Sequence, residues 1–150
     1  MEKVLQELQQ EKRILLNKLY KLKGYEVPEA GRTAKGTAIV NLLSLDPGEK
    51  ISAVIPIQNF AEGKYLLMAT KNGLIKKTAL TEYNSSRTTG LQGITLKEDD
   101  ELITVRLTDG EDNVVLVTHE GMCITFDEKE VRPIGRVSQG VIGIRLEDGD

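Results

Sequence analysis

Hydrophobic and polar residues change their spacing near Lys18. Before that point the seam residues recur every three or four positions with one interruption, at Met1, Leu5, Leu8, Lys12, Leu15 and Leu19. This heptad spacing, with Glu, Gln, Lys and Arg between, predicts an amphipathic helix over residues 1–17. Because so short a helix is marginal in isolation, it needs a partner surface. That surface is either the sheets of its own domain or, through Leu5, Leu8, Leu15 and Leu19, the same helix of a second chain.

From residue 18 onward the pattern predicts short strands rich in Val, Ile, Leu and Thr and separated by turn residues. The predicted strands are residues 39–43, 51–57, 64–70, 74–79, 101–107, 113–119, 122–126 and 141–146. The segments Thr70 to Leu74 and Thr118 to Met122 both enclose a glycine turn and predict a hairpin that recurs along the chain. The predicted fold class is therefore all-β, with one N-terminal helix.

A self-similar unit recurs through these strands. In each copy a Glu precedes a large apolar or aromatic residue, a turn and an Arg, as in Glu26 to Arg32, Glu82 to Arg87 and Glu130 to Arg136, and then a Gly follows (Gly36, Gly93, Gly140). Gly73 and Gly121 lie 48 residues apart and Gly93 and Gly140 lie 47 apart, so two landmarks agree. Repeats of roughly 40–50 residues are typical of four-stranded propeller blades. We expect about two and a half repeats, at residues 18–73, 74–121 and a shortened 122–150.

The net charge and the cysteine and histidine counts exclude several classes of function. The net charge of −3 argues against a uniformly basic nucleic-acid binder but leaves room for a local basic stripe. The single cysteine, Cys123, excludes an internal disulfide, and with the single histidine, His119, it offers neither a Cys-His pair nor a metal cluster. The acidic clusters 98–101 and 147–150 are interpreted as solvated turns. We therefore expect no catalysis, no cofactor, no metal and no membrane span, in a cytoplasmic protein.

Cations recur at one place in each repeat. Arg32 and Lys35 lie in a glycine-bracketed loop, and Arg87 and Arg136 occupy the same place in the other two copies. A regular row of cations suits the phosphates of DNA. The alternative is that each arginine pairs with the glutamate five or six residues before it, and the pattern alone leaves both interpretations open.

Residues 25–43, 68–78 and 131–146 resemble the C-terminal domain of the DNA gyrase A subunit, with long motifs in family order and at family spacing. The resemblance covers about residues 18–150. It implies a partial β-pinwheel whose blades swap a strand between neighbours and whose basic rim bends DNA. It also implies double-stranded DNA and gyrase subunits as partners, and a contribution to supercoiling by a type IIA topoisomerase. The DNA-binding residues that follow from the pattern and the resemblance are Arg32, Lys35, Lys76, Lys77, Arg87, Arg132 and Arg136.

Three departures from the family set a second expectation. The glutamine-arginine-glycine-rich box of the family's first blade has no counterpart, the third repeat stops in its middle, and residues 1–17 match no family motif. The cleavage domain with its catalytic tyrosine is also missing, so none of the four tyrosines is interpreted as a nucleophile. The alternative function is therefore an engineered or truncated fragment that self-associates as a homo-oligomer and binds DNA weakly or not at all.

Overall fold

The computed structural model describes residues 16–87 and 89–150. Its strands are β1 (Leu16–Leu19), β2 (Tyr65–Thr70), β3 (Leu74–Ala79), β4 (Leu91–Thr95), β5 (Leu102–Thr108), β6 (Asn113–Val117), β7 (Cys123–Asp127) and β8 (Val141–Ile142). Short 3-10 helices occupy Gly24–Glu26, Ile39–Asn41, Leu80–Tyr83 and Glu128–Glu130. Across the described residues there is no α-helix, and the strand ladders are antiparallel. The prediction of an all-β fold is confirmed.

The centre of the molecule is a four-stranded sheet with the order β5-β2-β3-β8. Within it, Leu66 of β2 lies opposite Thr78 of β3 and opposite Leu107 of β5. The fourth strand, β8, belongs to the following repeat. In the same way, β4 crosses to pair with β1, where Leu91 lies opposite Leu19. Consecutive repeats are therefore interlocked by an exchanged strand, which ties each sheet to its neighbour.

Both faces of the central hairpin are buried. Successive side chains of a strand point to opposite faces, and here each face has its own core. One core contains Leu66, Met68, Leu80, Tyr83, Ile94 and Leu96. The other contains Leu67, Ile75, Val114 and Val131. This double burial explains the unbroken apolar run at residues 66–69, since a strand covered on both faces has no polar side.

The recurring glycine turn forms the predicted hairpin in both places. Gly73 and Gly121 adopt φ angles of 80° and 86°, which only glycine reaches without strain. The hydroxyl of the threonine that begins each turn accepts a hydrogen bond from a backbone N–H on the other side of the turn. Thr70 Oγ1 accepts from the backbone N of Leu74 at 3.2 Å, and Thr118 Oγ1 accepts from that of Met122 at 3.2 Å. The predicted hairpins are confirmed, and the structure adds the role of the threonine, which the sequence did not indicate.

An aspartate from later in the chain holds each of these turns in place. The backbone N of Asn72 donates to Asp100 Oδ1 at 2.9 Å, and the backbone N of Glu120 donates to Asp150 Oδ1 at 2.7 Å. Asp100 is only 2% exposed. Its interpretation as part of a solvated turn was therefore wrong, because its carboxylate satisfies backbone donors of the preceding hairpin.

Two predicted strands, 39–43 and 51–57, do not form. Residues Ile39–Asn41 are a 3-10 helix, and residues 51–57 have no regular structure. Val40 is 62% and Val54 is 86% exposed. An apolar run becomes a strand only where a second strand satisfies its backbone groups, and in the described part of the chain none pairs with these segments.

The N-terminal boundary also differs from the prediction. Strand β1 begins at Leu16, so residues 16 and 17 belong to a strand and not to the predicted helix. Leu19 packs against the core around Leu66 instead of joining a helical seam. The remainder of the predicted helix, with Leu5, Leu8 and Leu15, lies outside the described residues.

One landmark of the repeat also needs correction. Gly90 and Gly140 immediately precede β4 and β8, with φ angles of 83° and 107°. Gly93, which the sequence pattern equated with Gly140, lies inside β4 and lacks a positive φ. The true counterpart of Gly140 is therefore Gly90. At Gly140 a Cβ atom would lie 2.7 Å from the carbonyl oxygen of Ile75, so the exchanged strand passes too close for any side chain there.

Candidate nucleic-acid interface

Four of the predicted DNA-binding residues are exposed in loops. They are Arg32 and Lys35 in the glycine-bracketed loop, Arg87 before β4 and Arg132 after the Glu128–Glu130 helix. A turn shapes the first loop, since the backbone N of Ala34 donates to the carbonyl oxygen of Gly31 at 2.9 Å. These four side chains present their charges to solvent, where they are available to an anionic ligand.

Lys76, by contrast, is completely buried in the central sheet. Its Nζ donates to the carbonyl oxygen of Gly93 at 2.7 Å and to that of Arg136. Burial lowers the pKa of Lys76 to about 8. At neutral pH the ammonium therefore keeps its charge and satisfies carbonyl oxygens of two neighbouring segments. Its assignment to DNA binding was wrong, because its charge is used inside the fold.

Lys77 is buried on the opposite face of the same strand, at 4% exposure. Its Nζ donates to the carbonyl oxygen of Glu128 at 2.8 Å and lies 3.9 Å from Oε1 of the same residue. The ammonium also lies 5.1 Å from the centre of the Tyr65 ring, within range of a cation–π interaction. The DNA-binding prediction for Lys77 was also wrong, since this residue joins the central sheet to the third repeat.

Arg136 is partly buried and bonded through its backbone and its side chain. Glu82 Oε2 accepts from the backbone N of Arg136 at 3.0 Å, and the Lys76 ammonium donates to its carbonyl oxygen. One guanidinium nitrogen donates to the carbonyl oxygen of Gln92 at 3.1 Å. The Arg136 loop is thus attached to the preceding repeat, which the sequence pattern did not indicate.

The ion pairs of the alternative interpretation are not formed. In residues 16–87 and 89–150, no salt bridge joins Arg32 to Glu26, Arg87 to Glu82 or Arg136 to Glu130. The Glu26 carboxylate instead accepts from the backbone N of Lys23 at 2.8 Å. The recurring glutamates are therefore backbone acceptors in at least two of the three repeats, and they leave the arginine side chains of their own repeats unneutralised.

Several site residues were missed by sequence reasoning. Tyr83 donates from its hydroxyl to the carbonyl oxygen of Gly93 at 3.1 Å, next to the Lys76 ammonium, and burial raises the pKa of Tyr83 to about 12. Arg106 and Arg145 are further exposed cations. The signal that could have identified Lys76 and Lys77 as internal is their place in the middle of a short predicted strand, between the apolar Leu74-Ile75 and the apolar Ala79-Leu80.

The family described as "DNA gyrase C-terminal domain, beta-propeller" matches residues 16–58, 64–109 and 112–150 of this chain. The breaks between these segments lie in the connections from β1 to β2 and from β5 to β6, whereas the repeat boundaries expected after Gly73 and Gly121 fall inside the β2–β3 and β6–β7 hairpins.

The DNA gyrase A protein of Clostridium acetobutylicum is 54% identical over 126 residues, which are 84% of this chain and 15% of that protein. The Escherichia coli counterpart is 50% identical over 133 residues, which are 89% of this chain and 15% of that protein.

Solved structures agree with these relatives. The C-terminal domain of a DNA topoisomerase IV superposes with a TM-score of 0.71 and 43% identity, covering 76% of this chain and 36% of that one. A DNA gyrase A C-terminal domain superposes with a TM-score of 0.74 and 25% identity, covering 89% and 42% of the two chains. The chain spans about 15% of the length of the curated relatives above. It belongs to the family of DNA gyrase C-terminal domains and has their β-propeller fold.

Proposed function

We propose that this chain is a sequence-independent DNA-binding module that wraps duplex DNA and, within a full-length gyrase, contributes to supercoiling. The observation that carries the proposal is the exposure of the cations that recur in the turn of each repeat, which are Arg32, Lys35 and Arg87, with the partly exposed Arg136 and the nearby Arg132 in the third repeat. Arginine suits this task because its planar guanidinium binds phosphate through paired N–H donors.

The net charge of −3 does not oppose this proposal, because a ligand responds to the local potential and not to the total charge. Asp100 and Glu128 are buried, and their carboxylates accept hydrogen bonds from backbone and side-chain donors. A ligand responds to the local potential outside the protein, where such groups contribute less than the exposed arginines. Burial of Lys76 and Lys77 removes as many positive charges from the surface as burial of Asp100 and Glu128 removes negative ones, so the proposal rests on the exposed arginines of the loops and not on the overall charge.

The test is duplex binding measured at several salt concentrations. If phosphate contacts dominate, affinity falls with salt at a log-log slope of about −0.9 for each phosphate neutralised. Unrelated duplex sequences then compete equally. Affinity that is independent of salt, or strongly dependent on sequence, would contradict the proposal.

We also infer that the chain has no DNA-cleavage activity of its own and acts as an accessory module. The support is that the family it matches and the solved structures it resembles are C-terminal domains. Its proposed partners are double-stranded DNA and the other parts of gyrase, in the cytoplasm. Magnesium-dependent cleavage of plasmid DNA by the pure chain would overturn this inference.

Self-association is a second candidate. In the central sheet β3 receives the exchanged strand β8, whereas in the described part of the chain the equivalent strand β7 pairs only with β6. Strand β7 exposes Ile124 at 41%, and its partner β6 exposes Val115 at 59% and Val117 at 68%. An unpaired, apolar sheet edge favours association with another strand. Light scattering tests this, and a mass equal to one chain would exclude it.

A further inference from the structure

The backbone of Arg136 is held on both of its polar sides by the preceding repeat. The Glu82 carboxylate accepts from its N–H at 3.0 Å, and the Lys76 ammonium donates to its carbonyl oxygen. Lys76 lies in β3, and Glu82 lies in the 3-10 helix that follows β3. A residue whose N–H donates to a carboxylate and whose carbonyl accepts from an ammonium is restrained more strongly than one bonded to neutral groups.

The restraint extends along residues 133–138, which we call the arginine strap. The backbone N of Ile134 donates to the carbonyl oxygen of Lys77 at 2.8 Å. Thr95 Oγ1 donates to the carbonyl oxygen of Val137 at 2.6 Å, beyond the arginine. Bonds before, at and after Arg136 therefore hold the strap on the central unit.

The Arg136 side chain keeps the capacity to bind a phosphate. A guanidinium has five N–H donors, and the structure shows one bond, to the carbonyl oxygen of Gln92 at 3.1 Å. This bond anchors the group beside Gln92 of the preceding unit, and among the described residues its other donors have no partner. A clamped backbone and an oriented guanidinium together reduce the ordering cost when a ligand binds.

Within residues 16–87 and 89–150, no such clamp holds the Arg87 loop. Tyr20 and Glu26 occupy the places in the first repeat that Lys76 and Glu82 occupy in the second. The Tyr20 hydroxyl donates instead to Glu49 Oε2 at 2.6 Å, and the Glu26 carboxylate accepts from the backbone N of Lys23 at 2.8 Å. Arg87 itself is exposed. The clamp is thus a property of the Arg136 loop and not of every repeat.

We propose that Glu82, together with Lys76, is a positioning residue for DNA binding: it holds Arg136 of the next repeat in the orientation that contacts a phosphate. The proposal rests on the DNA-binding function proposed above. It assigns to an exposed carboxylate a role that its charge alone would not suggest, because an acidic side chain near DNA repels the duplex. The sign of its effect on affinity therefore separates positioning from simple electrostatics.

The experiment measures the affinity of the full chain for a fluorescently labelled mixed-sequence duplex at two salt concentrations. Glu82→Ala is expected to weaken binding roughly fivefold, equivalent to one hydrogen bond. Glu82→Gln retains an acceptor oxygen and is expected to retain binding. The matched control is Glu98→Ala, which removes an exposed carboxylate outside the strap and is expected to leave affinity unchanged or slightly increased.

A double-mutant cycle with Arg136→Ala completes the test. If Glu82 acts through Arg136, Glu82→Ala has no further effect once Arg136 is removed, so the two effects are not additive. Faster hydrogen exchange at the Arg136 amide in Glu82→Ala, with the other amides unchanged, reports the loss of the clamp in a folded protein.

Unchanged or increased affinity in Glu82→Ala, or additive effects in the cycle, would overturn the inference while the DNA-binding function stands. Absence of binding by the wild-type chain would instead refute the proposed function itself.

Discussion

The Lys77 ammonium lies 3.9 Å from Oε1 of Glu128 and donates to the carbonyl oxygen of the same residue at 2.8 Å. Lys77 belongs to the central sheet and Glu128 to the third repeat, and the Glu128 carboxylate also accepts from the Thr108 hydroxyl and from the backbone N of Asp112. This ion pair is buried at the junction of two repeats. A charge in such a place is tolerated because the Lys77 ammonium and both oxygens of the Glu128 carboxylate have hydrogen-bond partners.

Replacement of Lys77 by Met is therefore expected to destabilise the protein by about 3 kcal/mol, because the buried Glu128 carboxylate loses its cation. Urea unfolding followed by circular dichroism measures the change. The double variant Lys77→Met with Glu128→Gln should recover part of the loss, since no charge is left unpaired. The control is Lys129→Met, which removes an exposed partner of Glu111 and should have little effect. Equal effects of Lys77→Met and Lys129→Met would show that the buried pair is unimportant.

The low pKa of Lys76 predicts a pH dependence of stability. The folded-state value is about 8 and the ordinary value is 10.5. Between these two values the unfolded chain binds more protons at this residue than the folded chain, so its contribution to the free energy of unfolding rises with pH. The difference in that free energy between wild type and Lys76→Met should therefore shift in favour of wild type from pH 8 to 10.5. A difference that stays constant over this range would show that the pKa of Lys76 is not lowered.

The two hairpin glycines offer a matched pair of substitutions. Alanine at Gly73 or at Gly121 must adopt a positive φ angle, which costs roughly 1–2 kcal/mol at either position. Of the two, only Gly73 would also bring the added Cβ against a backbone atom, the carbonyl oxygen of Ile144, whereas at Gly121 no atom of the described residues lies within 4 Å. Gly73→Ala should therefore lower the melting temperature more than Gly121→Ala. Equal losses would mean that the segment after β8 does not pass over the β2–β3 turn.

Arg87 is expected to contribute to phosphate binding without selecting a sequence. Arg87→Ala should weaken binding to unrelated duplexes by the same factor and reduce the magnitude of the salt slope by about 0.9. Lys71→Ala removes another exposed cation, from a hairpin turn outside the arginine loops, and should leave the slope unchanged. If both variants change the slope equally, the duplex contacts the general positive surface and not the arginine loops.

The hairpins could be predicted from the sequence because their causes are local. The turns at Gly73 and Gly121 need a glycine at one position and a threonine hydroxyl three residues earlier, and these features lie within five consecutive residues. The strand at 39–43 could not be judged in the same way, because an apolar run becomes a strand only when another strand lies beside it.

The candidate DNA-binding residues separate in the same way, into those that local sequence identifies and those whose place depends on tertiary contacts. Exposed loop cations such as Arg32 and Arg87 were identified from their recurrence, since a turn generally lies at the surface. Lys76 and Lys77 were assigned incorrectly, because their burial depends on units that pack on the two faces of β3 from distant parts of the chain. No local pattern indicates that a lysine ammonium finds its acceptors at Gly93 or Glu128.

The sequence by itself determined the repeat, the glycine turns, the all-β class and the loops that carry exposed arginines, because each depends on residues close together in the chain. Tertiary structure alone decided where β4 and β8 pair, which charges are internal and which glutamate holds Arg136. Those outcomes are set by contacts between residues dozens of positions apart, whose energies exist only after neighbouring repeats have packed and excluded water.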